Sequence, residues 1–128
     1  RCRSLPLARA AFRACGAAAC GSARVPCGAV RSRPVGALLC VRAVGECVAV
    51  AAARWISLCA AATSRTIAAI NALPSAMRPS LLLDLERGGP TEVDVLSGAI
   101  ARMGQHAGVP TPVHDTAWAA ISAPTVPS

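Results

Sequence analysis

The sequence predicts an all-α fold for residues 67–122, and two observations predict it. Val93, Leu96, Ile100, Met103 and Ala107 recur at steps of three and four, which places them on one face of a helix. The apolar runs of this half also carry helix punctuation, with proline, serine or threonine ahead of them and glycine or proline behind. Residues 1–66 show neither feature, so their fold is uncertain or absent on sequence grounds, and 123–128 reads as a tail.

The elements follow in chain order. "TIAAINAL" (66–73) is an apolar segment with Asn71 inside it, ended by Pro74. In "RPSLLLDLERGG", Pro79 disfavours helix at Arg78. Ser80 is the expected N-cap, Leu81 to Arg87 the helix, and Gly88 the left-handed stop. "PTEVD" is expected to open the next helix, since Thr91 and Asp94 have capping-box spacing. Glu92 and Asp94 would then lie in a first turn, where the helix dipole favours anions. Ser97, Gly98 and Gly104 are small enough to let another helix approach closely, and Gly108 ends the segment. "VPTPV" (109–113) reads as an extended connector. A last helix is expected from about His114 or Asp115 to Ser122, with Trp118 and Ile121 turned inward.

The first sixty-six residues differ in composition. Ala, Arg and Cys fill 35 of those positions, and ten Arg face a single acid, Glu46. The remaining residues hold three Arg and five acids, so a net charge of +7 averages a basic half and a mildly acidic one. "AAFRACGAAAC" (10–20) reads as weakly helical, while "VGALLCV" (35–41) and "CVAVAAARWISLCAAA" (47–62) suit buried strand or helix equally. Three readings compete: a targeting peptide, a basic nucleic-acid-binding arm, and GC-rich DNA translated in the wrong frame or from a wrong start. The absence of lysine, the seven cysteines and the missing phase favour the last. Phe12 and Trp55 are too few for a base-stacking platform, so nucleic acid is not the expected partner.

Other classes are excluded more directly. The region from Val35 to Ala62 is broken by Arg42, Glu46 and Arg54, so no membrane span is expected. The seven Cys are odd in number, contain no CxxC and lie far in sequence from His106 and His114. No disulfide framework and no metal site are expected from such spacing, and both histidines read as surface residues. Free thiols suit a reducing cytoplasm.

The motifs from Arg78 to Ile121 resemble the end of the carboxy-terminal domain of the ketopantoate reductase (2-dehydropantoate 2-reductase) family, with the match extending over about residues 67–122. They are Pro79-Ser80, Asp84, Gly88 through Asp94, and Gly108 through Val113. The resemblance implies part of a larger helical domain. It also implies a reaction in which NADPH delivers hydride to the ketone of 2-dehydropantoate or a related 2-keto acid, giving pantoate for pantothenate and coenzyme A synthesis. By the same resemblance, Ser80 and the first-turn amides of Ser80, Leu81, Leu82 and Leu83 would hold the substrate carboxylate at a helix start. Glu92 would face the cleft near the substrate hydroxyl and the nicotinamide ribose, as a cofactor-binding residue.

The chain departs from the family pattern in ways that matter. It has no GxGxxG turn for the dinucleotide and no lysine, the residue type that serves the family as general acid. The asparagines near that lysine have no match, Gly89 stands where the family usually has Arg, and Leu81 where it has Met. No catalytic residue is therefore assigned, and a fragment inactive on its own is expected. Asp84 and Asp94 read as structural, Met103 and Trp118 as core. A homodimer is left open, as are two other functions: a non-catalytic helical interaction module and a nucleic-acid binder using residues 1–66.

Overall fold

A computed structural model describes residues 5–54, 56 and 60–122 of the chain. Trp55, Cys2, Cys59 and the expected tail at 123–128 lie outside the described residues. The described residues form seven helices and no strand: α1 (Leu5–Ala23), α2 (Cys27–Arg31), α3 (Pro34–Ala53), α4 (Ala60–Ala72), α5 (Ser80–Glu86), α6 (Ser97–Ala107) and α7 (Pro112–Ser122). The composition change at Thr66 falls inside α4, so it marks no boundary in the fold.

Helix α1 is the centre of the arrangement and touches all six other helices. Its alanines favour helix, and their small side chains let neighbours come close. Ala11, Ala14, Cys15, Ala17, Ala18, Ala19 and Cys20 are all buried. Its exposed side is short, with Arg9 and Arg13 one turn apart, and the buried side is alanine and cysteine, so its sequence shows little helical phase. At Gly21 a β-carbon would lie 2.7 Å from Leu81 Cδ2 and 2.9 Å from Ile121 Cδ1, so α5 and α7 pack onto bare backbone there.

Helix α3 settles the strand-or-helix ambiguity of residues 35–53 as helix. Pro34 begins it, where a missing N–H costs nothing. Cys40, Ala43, Val44, Cys47, Val50 and Ala51 turn inward at steps of one, three and four. That phase is hidden because Val35, Leu38 and Val41 are apolar yet exposed. By length and composition alone α3 could cross a membrane; here it packs against α1, α2, α4, α6 and α7. The arginines of this half lie mostly outward, with Arg9, Arg13, Arg24, Arg33, Arg42, Arg54 and Arg65 all exposed.

In the second half the helix ends move. Pro79, not Ser80, is the N-cap of α5, and Ser80 is its first helical residue with no side-chain capping bond. Gly88 and Gly108 do adopt the left-handed conformation, each with φ 70°. The helix expected to open at "PTEVD" begins only at Ser97. Residues 92–96 form turns instead, in which the Glu92 carbonyl accepts from the amides of both Val95 and Leu96. Thr91 Oγ1 accepts weakly from the Val93 amide at 3.5 Å. Asp94 is drawn away from capping, since its Oδ1 accepts from Trp118 Nε1 at 2.7 Å and its carbonyl from Arg102 at 2.8 Å.

Helix α7 starts two residues earlier than expected, at Pro112, and its start is capped from another helix. The buried Glu46 carboxylate of α3 accepts from the amides of Val113 (2.9 and 3.0 Å) and His114 (3.1 Å). Thr111 also donates to Asp115 Oδ1 at 2.9 Å. Gly98 allows the expected close approach of a helix, since a β-carbon there would meet Trp118 of α7 at 3.0 Å; at Gly104 it is the following connector that comes close instead, with the Val109 carbonyl at 2.7 Å. The two apolar clusters both draw on α1. One joins Cys15, Cys40, Val44, Cys47, Ile70 and Leu82; the other joins Ala17, Ala18, Leu81, Val93, Ala117 and Ile121.

Candidate functional site

Of the residues that the family resemblance singles out, Ser80 and Glu92 each lie near Arg13 of the first helix. Ser80 is exposed at the start of α5 and lines a small cavity of about 130 Å³ with Phe12, Arg13, Met77, Pro79 and Leu96. Glu92 is not a lining residue, but its Oε2 accepts from Arg13 Nη2 at 2.9 Å at the cavity's edge. Sequence reasoning missed Arg13, because 79 residues separate it from Glu92 and no motif marks it. The two side chains of this pair are 60% and 56% exposed, so the contact contributes little to stability, on the order of 0–1 kcal/mol.

The four residues expected at the carboxylate site separate into groups. Leu81 and Leu82 bury their side chains in the two clusters and can offer only backbone. The amide of Leu83 already donates to the Pro79 carbonyl at 3.1 Å, which removes it as an anion donor. Ser80, Leu81 and Leu82 precede that first helical bond, so their amides are the ones helix geometry leaves open. Asp84 is half-buried, and Asp94 is held by Trp118 and Arg102, as their structural reading requires. Met103 and Trp118 are only partly buried, and Arg102 lies over the Trp118 ring at 5.1 Å.

The two histidines diverge. His106 is exposed, as expected. His114 is not a surface residue: it is fully buried, because α7 begins early enough to turn it into the core. Its Nδ1 lies 3.3 Å from Ser97 Oγ, and its Nε2 lies 3.1 Å from the Ala43 carbonyl and 3.5 Å from Cys47 Sγ. Cys47 Sγ is in turn 4.0 Å from Cys15 Sγ. The hydrogen bond from Cys15 outweighs burial and lowers the Cys47 pKa to about 6, with His114 helping. Burial opposes charge on His114, yet the contact with Cys47 raises its pKa on balance. The bond to Cys47, then burial, holds Cys15 well above the ordinary thiol value. Cys20 and Cys27 form a second close pair at 3.4 Å.

Comparison with known proteins agrees with the arrangement of helices. The family described as "Ketopantoate reductase PanE/ApbA C terminal" matches residues 3–125, which runs through the basic half as well as the second. No curated protein matches the chain by sequence. Among solved structures, the dimeric ketopantoate reductase from Staphylococcus aureus superposes with a TM-score of 0.85 at 17% identity, covering 94% of this chain and 42% of its own. The ternary structure of D-mandelate dehydrogenase with NADH and anilino(oxo)acetate gives 0.79 at 25% identity, covering 90% and 64%. The 2-dehydropantoate 2-reductase from Methylococcus capsulatus gives 0.76 at 23% identity, covering 88% and 39%. The chain thus spans between 39% and 64% of the length of these proteins.

Proposed function

Because the chain belongs to the ketopantoate reductase family, as a C-terminal helical domain, we propose that it supplies the substrate-facing wall of a 2-dehydropantoate 2-reductase. One observation carries this reading: Ser80 and Arg13 line one small cavity, and Glu92 is tied to Arg13 at its edge. The expected substrate is 2-dehydropantoate or a close 2-keto acid. The Ser80 hydroxyl, the amides of Ser80 to Leu82 and the Arg13 guanidinium are donors of the kind a carboxylate needs. Glu92 is an acceptor for a substrate or ribose hydroxyl. In the intact reductase NADPH would supply the hydride. The residues that would hold its pyrophosphate belong to a Rossmann unit that this sequence does not contain.

On this reading the chain alone does not turn over substrate. Arg13 can hold an anion, but a guanidinium does not give up a proton in proteins, so it is a poor replacement for a general acid. The proposed setting is the cytoplasm, where buried free thiols persist. Residues 1–66 belong to the domain on this reading, in place of the misread frame expected from composition. The inward sorting of Cys15, Ala18, Ala43 and Cys47 and the outward sorting of most arginines support that.

The test is an amide NMR titration of the chain with 2-dehydropantoate, run beside an assay of NADPH oxidation. Shifts confined to Ser80–Leu82, Arg13 and Glu92, without turnover, are the expected result. No shift at those residues at millimolar ligand would sink the substrate wall, and turnover by the chain alone would sink its inactivity.

A further inference from the structure

Three helices bring Cys15, Cys47 and His114 to one point in the core, from α1, α3 and α7. Their ligand atoms all lie within 4.8 Å of one another. Cys15 and His114 are 0% exposed and Cys47 is 5% exposed. Two sulfurs and an imidazole nitrogen are a donor set for a thiophilic ion. Two of the three separations are close to those around a bound ion, and the third is bounded at 4.8 Å. A tetrahedral zinc, with Zn–S near 2.3 Å and Zn–N near 2.05 Å, holds its ligands about 3.8 Å (S···S) and about 3.5 Å (S···N) apart. The separations are 4.0 Å between the sulfurs and 3.5 Å from Cys47 Sγ to His114 Nε2.

We propose that Cys15, Cys47 and His114 form a binding site for a divalent thiophilic cation, zinc(II) above all. Charge favours the divalent ion: two thiolates, a neutral imidazole and Zn²⁺ sum to zero, which suits a buried position beside the Glu46 carboxylate. The second shell is in place. If the Nδ1 proton of His114 is donated to Ser97 Oγ, at 3.3 Å, the Nε2 lone pair is free for the metal. That exchange gives up the contact from Nε2 to the Ala43 carbonyl, which still accepts the α3 helix bond. Of the three, Cys47 alone also lines an adjacent apolar cavity of about 340 Å³, with Leu96, Ile100 and Met103. Both thiols give up their protons to solvent as the ion binds, as thiolate ligation requires.

The site is distinct from the Ser80–Arg13–Glu92 cavity, and neither reading depends on the other. The experiment uses the chain, reduced with a phosphine and stripped by a chelator. It is titrated with zinc by calorimetry, then with cobalt(II) as a spectroscopic stand-in. One zinc per chain is expected. Cobalt should give intense visible bands of a tetrahedral site and a near-ultraviolet thiolate charge-transfer band. Cys15→Ser and Cys47→Ser should each weaken binding at least about 100-fold, the upper end of what a change outside the ligands costs. Cys20→Ser and Cys40→Ser should leave it unchanged. His114→Gln is included, but the serine variants carry the test if it fails to fold. The proposal is overturned by absence of stoichiometric zinc binding. It is equally overturned if a Cys15→Ser/Cys47→Ser variant that is folded by circular dichroism keeps its affinity, or if cobalt gives no thiolate band.

Discussion

The core of the first three helices is mostly alanine and cysteine, with Val30, Val44 and Val50 as the larger exceptions, whereas α5 and α7 bring Leu81, Leu82 and Ile121 to it. The two parts fail in opposite ways. Where side chains are small, little is lost by trimming one, but added volume has nowhere to go. Where they are large, trimming one leaves a cavity.

The sharpest break in that comparison is Leu82→Ala. Leu82 is fully buried, so its truncation should cost about 2–5 kcal/mol in urea unfolding. Ala18→Leu tests the other half. Ala18 is 1% exposed, and overpacking there should cost about 1–3 kcal/mol, whereas Cys15→Ala should cost markedly less than Leu82→Ala. If Ala18→Leu were neutral, the close packing of α1 would be refuted. Glu46→Ala joins the halves: it leaves the amides of Val113 and His114 without their carboxylate and should cost about 1–3 kcal/mol, seen as faster hydrogen exchange at the start of α7.

Alkaline pH acts on the buried thiols of the first half. Burial holds the pKa of Cys20 and Cys40 above the ordinary 9.0, with Cys27 adding to both. These thiols stay protonated when folded and ionise when unfolded. Their contribution is therefore complete below about pH 9 and is lost as pH rises through their folded values. The melting temperature of the metal-free protein should fall above that pH, and less steeply in a Cys20→Ala/Cys40→Ala variant. The smallest effect belongs to Glu92→Gln. It should change stability by less than about 0.5 kcal/mol, because its ion pair with Arg13 is exposed, while weakening the NMR response to 2-dehydropantoate.

The second half was legible in part: glycines at 88 and 108 mark true stops, but Val93 and Leu96 of the expected face precede α6, Ile100, Met103 and Ala107 are only partly buried, and the buried face is Ser97, Gly98, Ala101 and Gly104. The first half was not, for a reason of position. Helix α1 is contacted by six neighbours and leaves Arg9 and Arg13 as a short polar stripe, and α3 carries apolar residues on its exposed side, so neither shows a clear amphipathic phase. What looked like loss of order is the pattern of a central helix. Ser80 and Glu92 were visible through their motif, but Arg13 was not, and His114 was misplaced because Glu46 caps α7 from a distant helix. The grouping of Cys15, Cys47 and His114 was invisible for the same reason: 32 residues separate the two sulfurs and 67 separate Cys47 from the ring.

The central place of α1 has a consequence for biosynthesis. It leaves the ribosome before any of the helices that cover it, and α7, one of its main neighbours, is made last of the seven. Until then its apolar surface has no complete cover. A chain folding vectorially would present this segment to chaperones until α7 is made, and its final docking would await contacts between distant parts of the sequence.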